Sequence, residues 1–151
     1  MMEIEDIAKI EPKIENGKLI IYFTSNPVEI TDLRVLRFID KLKPLMNDLH
    51  NDKIKEFFFV FNINDIVIPT NFSMLKVFAQ FFKDSEDVII DKLKFSVVES
   101  KSNIFKLFFS LFKKYYVPKK SLYLCKSIED VNDCIFNIDS RNKYPNILNL
   151  I

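Results

Sequence analysis

Residues 56–62 read EFFFVFN, and this stretch decides the fold. The apolar run is too short for a typical helix and is rich in aromatic side chains, so it predicts a β-strand. Apolar residues occupy consecutive positions along it, which requires that both faces of the strand be covered. We therefore expect residues 56–62 to form a central strand of a sheet that carries helices.

Strands are also predicted on both sides of this segment. Upstream, residues 18–24 (KLIIYFT) form a strand, and the weakly alternating residues 2–10 form an edge strand. Asn16-Gly17 between them is a strong turn signal, and Pro12 indicates a broken or edge strand. Downstream, strands are predicted over the segments 94–99 (KFSVVE) and 121–126 (SLYLCK).

Helical periodicity fills the intervals between the strands. Thr31 caps a first helix that extends to Leu49, and Pro44 kinks it or begins a second segment. The acidic stretch 84–91 is expected to be a solvated linker. Three more helices are predicted. The first contains residues 74–82, and the second begins at Ser102 and ends before Pro118. The third spans residues 128–137, with Ser127 as its cap.

The resulting order is β-β-α-β-α-β-α-β-α, which predicts a single α/β domain with a mainly parallel sheet flanked by helices. The domain is assigned to residues 1–138. Residues 139–151 are interpreted as a C-terminal tail that is loosely packed or depends on a partner.

Composition narrows the class of protein. The chain has 151 residues, 48% of them hydrophobic, and a net charge of +1, which fits one globular domain without a global bias toward nucleic acid. We find no secretory signal and no apolar run long enough to cross a membrane. Cys125 and Cys134 are expected to be reduced and buried, which indicates a cytoplasmic location.

The sequence offers no recognisable catalytic constellation. His50 is the sole histidine, and no nucleophile elbow accompanies it. The single glycine, Gly17, cannot supply a phosphate-binding loop. We therefore predict that the protein is not an enzyme and uses no cofactor or metal.

Residues 101–120 carry six lysines and no acidic residue, interleaved with aromatic side chains. The apolar arc of the helix within this stretch is broader than packing on one sheet face requires. The apolar side chains that packing does not require could bind a partner. A protein partner or self-association ranks first, an anionic membrane surface second and nucleic acid last. The alternative is that the whole apolar stripe is buried and the lysines beside it are solvated. The candidate partner-binding residues are Phe72, Met74, Phe105, Phe108, Phe109, Phe112, Lys113 and Lys114.

Residues 59–75, FVFNINDIVIPTNFSML, resemble the STAS domain of anti-anti-sigma factors and sulfate-transporter tails. The closing segment SLYLCKSIEDVNDCIF and the order of elements are also similar to that family. The resemblance implies a non-catalytic protein-interaction or regulatory module with a phosphoacceptor at a helix start. Asn71 falls where the family has its serine, which leaves Thr70 and Ser73 as candidate acceptors and helix capping by Thr70 or Asn71 as the alternative.

A weaker resemblance connects the same alternation of elements to CRAL-TRIO lipid carriers. It implies that aromatic residues in the segments 57–61, 78–82 and 105–112 line an apolar pocket. The alternative function is therefore a carrier of a lipid or another apolar small molecule.

The many Lys, Asn, Ile and Phe residues indicate an A/T-rich genome, as in large DNA viruses or some protists. A viral origin would place the protein in the virion or host cytoplasm, with another virion protein as its partner.

Overall fold

The computed structural model describes residues 5–67, 72–137 and 147–150 of the chain. Within these residues the strands form one six-stranded sheet in sequential order, β1-β2-β3-β4-β5-β6. The strands are β1 (Ala8–Glu15), β2 (Lys18–Ser25), β3 (Phe57–Asn62), β4 (Leu93–Glu99), β5 (Leu122–Cys125) and β6 (Ile147–Asn149). The pairs β1–β2 and β5–β6 are antiparallel, and the pairings from β2 to β5 are parallel. The predicted fold class, α/β with a mainly parallel sheet flanked by helices, is confirmed.

Five helices connect or follow the strands in the described part of the chain. They are α1 (Asp32–Asp48), α2 (Met74–Asp84), α3 (Glu86–Lys92), α4 (Ile104–Phe112) and α5 (Ile128–Phe136). Two predicted caps are confirmed, because the Thr31 hydroxyl accepts from the backbone N–H of Arg34 and the Ser127 hydroxyl accepts from that of Asp130. The predicted first helix is one continuous element that retains Pro44.

In the described part of the chain, the sheet has a helix-rich face and a face that is covered by one helix, α5. Side chains such as Ile21 and Phe59 point to the first face, where they form a core with α1, α2, α3 and Phe108 of α4. Their neighbours in sequence, such as Ile20 and Phe58, point to the opposite face and pack with α5. Consecutive buried residues in β3 therefore serve two cores, as the sequence predicts for a strand covered on both faces.

The β1–β2 hairpin has its turn at the predicted dipeptide. Asn16 (φ 50°) and Gly17 (φ 77°) both adopt left-handed backbone conformations. From that turn the two strands pair residue by residue, starting with Glu15 opposite Lys18 and ending with Ala8 opposite Ser25. The prediction for the first strand, residues 2–10, was wrong in its bounds, because the turn fixes the register and β1 therefore runs up to Glu15. Pro12 is accommodated since β1 is an edge strand in the described sheet.

Three other elements differ from the sequence prediction. Residues 86–92 form α3 where a linker was expected, because Val88 and Ile89 are buried in the helix-rich core. The helix beginning after Ser102 ends at Phe112, well before Pro118. Within the segment assigned to a tail, residues 147–149 form β6, which pairs with β5 and buries Ile147.

Among the described residues, no helix combines the length and apolar character needed to cross a bilayer.

The Gly17→Ala variant should lose about 1 kcal/mol of unfolding free energy, because an alanine is strained in the left-handed region. Nothing lies within 4 Å of a Cβ built at this position, so the backbone conformation is the main source of the loss. Urea denaturation measures the effect. The Gly17→Asn variant is the control, since asparagine tolerates this conformation, and equal losses in both variants would contradict the explanation.

Candidate functional site

An apolar cavity of about 300 Å³ lies between the helix-rich face of the sheet and the helices above it, and it is partly open to solvent. Its floor includes Phe23 of β2, Phe59 of β3 and Val98 of β4. Its roof comes from α1, α2 and α4, with Phe38 and Phe78 among the side chains that contribute. The cavity therefore follows the sheet across several parallel strands.

Aromatic rings make up much of the cavity wall and contact one another in chains. Phe23 stacks on Phe61 with the ring centroids 4.8 Å apart, and Phe23 also meets Phe38 edge-on at 6.2 Å. On the opposite side, Phe82 contacts Phe112 at 5.8 Å. Edge and offset contacts of this kind are the arrangements that packed aromatic rings prefer.

Small side chains on the same sheet face leave room between these rings. Ser25 and Ser96 both line the cavity and are buried, with 7% and 8% of their surface exposed. A leucine or phenylalanine at either position would occupy space that the cavity now contains. The alternation of serine with large aromatic residues is thus one local cause of the cavity.

Polar groups at the amino-end side of the parallel strands include Tyr116, Lys119 and Lys120, which lie between α4 and β5 and line the cavity. Lys119 forms an ion pair with Glu86 at 3.7 Å, and the ring of Tyr116 stacks on Phe82 with centroids 5.9 Å apart. Burial, with a smaller contribution from the Glu86 carboxylate, raises the pKa of Tyr116. Its phenol therefore stays protonated at neutral pH.

A separate polar network joins the carboxyl ends of β2, β3 and β4. The side chain of Asn64 donates to the buried Glu99 carboxylate at 2.8 Å and accepts from the backbone N–H of Lys101 at 2.9 Å. The hydroxyl of Ser25 accepts from the backbone N–H of Asp65 at 3.2 Å. These bonds fasten the turn that follows β3 to its neighbouring strands.

The predicted phosphoacceptor region is described only in part. Thr70 and Asn71 lie outside the described residues. Ser73 is exposed and directly precedes α2, but its side chain makes no capping hydrogen bond to that helix. Phosphorylation of Thr70 or Ser73 stays a prediction.

The structure separates the predicted partner-binding residues into two groups. Met74, Phe108 and Phe109 are buried, and together with the half-buried Phe105 and Phe112 they line the cavity. These side chains face inward because α4 lies over β4 and β5 with its phenylalanine stripe against the sheet. The remaining three are exposed, namely Phe72, Lys113 and Lys114. The signal for the cavity in the sequence was the set of aromatic-rich segments, which the carrier hypothesis places around an apolar pocket.

The structure also places the metal-ligating and nucleophilic side chains of the described residues. No three His, Cys, Asp or Glu side chains there form a metal-binding group. Cys125 and Cys134 are both free and buried, as expected, and a hydrogen bond with Cys134, together with burial, raises the pKa of Cys125. A thiol held protonated is a poor nucleophile. His50 is exposed just after α1.

Comparisons of the chain with protein-family models, with curated proteins and with solved structures give no match.

The Asn64→Ala variant should lose about 2 kcal/mol of unfolding free energy, since it removes the hydrogen bond that Asn64 donates to the buried Glu99 carboxylate. Chemical denaturation at neutral pH measures the loss. The matched control is Asn51→Ala, because Asn51 is exposed and its side-chain oxygen accepts from the nearby backbone N–H of Lys53. Similar losses in the two variants would show that the bond to Glu99 contributes little.

Proposed function

We propose that this protein is a non-catalytic binding protein whose ligand is an apolar small molecule held between the sheet and the helical layer. The observation that carries the proposal is the cavity of about 300 Å³ lined by aromatic and aliphatic side chains. Its volume is at the lower end of the roughly 300–1,000 Å³ typical of small-molecule sites. This function is the carrier hypothesis that the sequence placed second.

The chemistry of the wall supports an apolar occupant. Water needs several polar partners to be stable in a cavity, and aromatic surfaces such as those of Phe38, Phe59 and Phe108 offer none. An apolar ligand loses no hydrogen bonds there and gains contact with the surrounding rings. Apart from Ser96 in the middle of β4, the polar side chains of the wall lie toward the ends of the strands, which suits an elongated ligand.

Ser96→Leu tests this proposal because the new side chain would project into the cavity from the middle of β4. We expect at least a tenfold loss of affinity for the neutral apolar dye N-phenylnaphthylamine, since the leucine and the dye compete for one space. We also expect a gain of about 1 kcal/mol in unfolding free energy from filling the cavity. Fluorescence titration and thermal unfolding measure the two effects.

The control is Thr24→Leu, which places the same side chain at an exposed position of β2 on the opposite face of the sheet. It should leave dye binding unchanged. If the wild-type protein binds no dye, or if Ser96→Leu binds it as well as the wild type does, the proposal is wrong.

A STAS-type protein-interaction module is the second proposal. The sequential order of the parallel strands and the exposed apolar side chains near α4 support it. Leu107 is 53% exposed and Val117 is 62% exposed, and the exposed lysines 113 and 114 lie between them in the sequence. A second copy of the chain is the occupant we propose for this surface.

The second proposal predicts that the purified protein forms a dimer that the Leu107→Lys variant cannot form, because a lysine would place a charge within the buried contact. Size-exclusion chromatography with light scattering measures the mass. Ile90→Lys is the control, as Ile90 is half exposed but lies on α3. A wild-type protein that remains monomeric at high concentration would exclude this interface.

A further inference from the structure

One polar atom in the cavity region is anomalous. The Tyr116 side chain is 7% exposed, and its hydroxyl is buried without a hydrogen-bond partner among the described residues. A buried hydroxyl without a partner is costly, and native proteins avoid it unless something outside the chain supplies the bond. Tyr116 also lines the cavity, so a cavity ligand could supply that partner.

At the opposite end of the cavity, no buried polar atom of the described residues lacks a partner in this way. Ser25 and Asn62 line it near the carboxyl ends of β2 and β3. The Ser25 hydroxyl already accepts from the backbone N–H of Asp65, and the Asn62 side-chain oxygen accepts from that of Asn64. The buried polar group of the cavity that still needs a hydrogen-bond partner is therefore at the Tyr116 end.

Charge at the Tyr116 end favours an anion. Lys119 and Lys120 both line the cavity there, and the nearby carboxylate of Glu86 pairs with Lys119. Lys120 forms no ion pair with any described residue. A ligand anion beside Lys120 would gain a charge-assisted contact, and a neutral phenol is an effective donor to a carboxylate.

From these observations we infer that the ligand is a single-chain carboxylate such as a fatty acid, with its head at Tyr116 and Lys120 and its chain in the apolar cavity. This inference rests on the proposed function, because it assumes that the cavity binds a ligand. The inference adds that the ligand is a carboxylate and that its head group lies at the Tyr116 end of the cavity.

Competition experiments with the full chain test the inference. N-phenylnaphthylamine reports on the apolar cavity, and laurate displaces it if the two share the site. Tyr116→Phe should weaken laurate binding about tenfold, the effect of removing one hydrogen bond to a charged group. Dye binding should change far less than laurate binding, because the ring and the cavity are retained.

Two further variants sharpen the result. Lys120→Met should weaken laurate binding several-fold more than it changes dye binding, because it removes the positive charge but keeps an apolar stem of similar length. Tyr115→Phe is the control, since Tyr115 is the adjacent tyrosine but is 40% exposed and its ring contacts Lys76. It should change neither affinity.

The outcomes separate the two proposals. Dye binding with laurate affinity unchanged in Tyr116→Phe and Lys120→Met would overturn the carboxylate inference and leave the binding function intact. A protein that binds neither dye nor laurate would overturn both. Removing the hydroxyl also removes a buried polar atom without a partner, so Tyr116→Phe should fold at least as stably as the wild type and the binding results stay interpretable.

Discussion

The burial of β3 on both of its faces is the constraint on which the rest of the structure depends. Phe57 and Phe59 face the helix-rich side, while Phe58 and Val60 face the side of α5. A strand of this kind cannot lie at an edge or against solvent, because either arrangement would expose several aromatic rings to water. The parallel neighbours β2 and β4 and the helices on both faces follow from that requirement.

The division of helices between the two faces explains the location of the cavity. Helices α1 to α3, with Phe108 of α4, pack on one face, whereas α5 covers the other. On the α5 side, small residues such as Val131 and Cys134 pack closely against β-branched and aromatic side chains, with essentially no surface exposed. On the helix-rich side, rings from several helices meet rings from the sheet, and Ser25 and Ser96 leave space that neither layer fills. The binding hypothesis depends on this difference between the two cores.

Both elements that the sequence did not predict have specific physical causes. Helix α3 begins with Glu86 and Asp87, and a short acidic stretch resembles a solvated linker when it is read alone. Its helical form depends on Val88 and Ile89 reaching a core assembled from distant segments. Strand β6 has three residues and is stabilised by pairing with β5, including a hydrogen bond from the backbone N–H of Leu150 to the carbonyl of Leu122 at 2.9 Å. Neither contact is encoded in local periodicity.

The sequence by itself determined the class of fold, the central strand and the hairpin turn at Asn16-Gly17, because these depend on local apolar patterns and backbone preferences. It also identified Thr31 and Ser127 as caps, since a cap bonds a residue only three positions away. Only the tertiary structure decided that Phe108 and Phe109 face inward and that Tyr116 is buried beside the lysines before β5. A broad aromatic arc on a helix is compatible with a partner surface, a filled core or a lined cavity. The choice among them depends on how closely distant elements approach, and no local pattern specifies that distance.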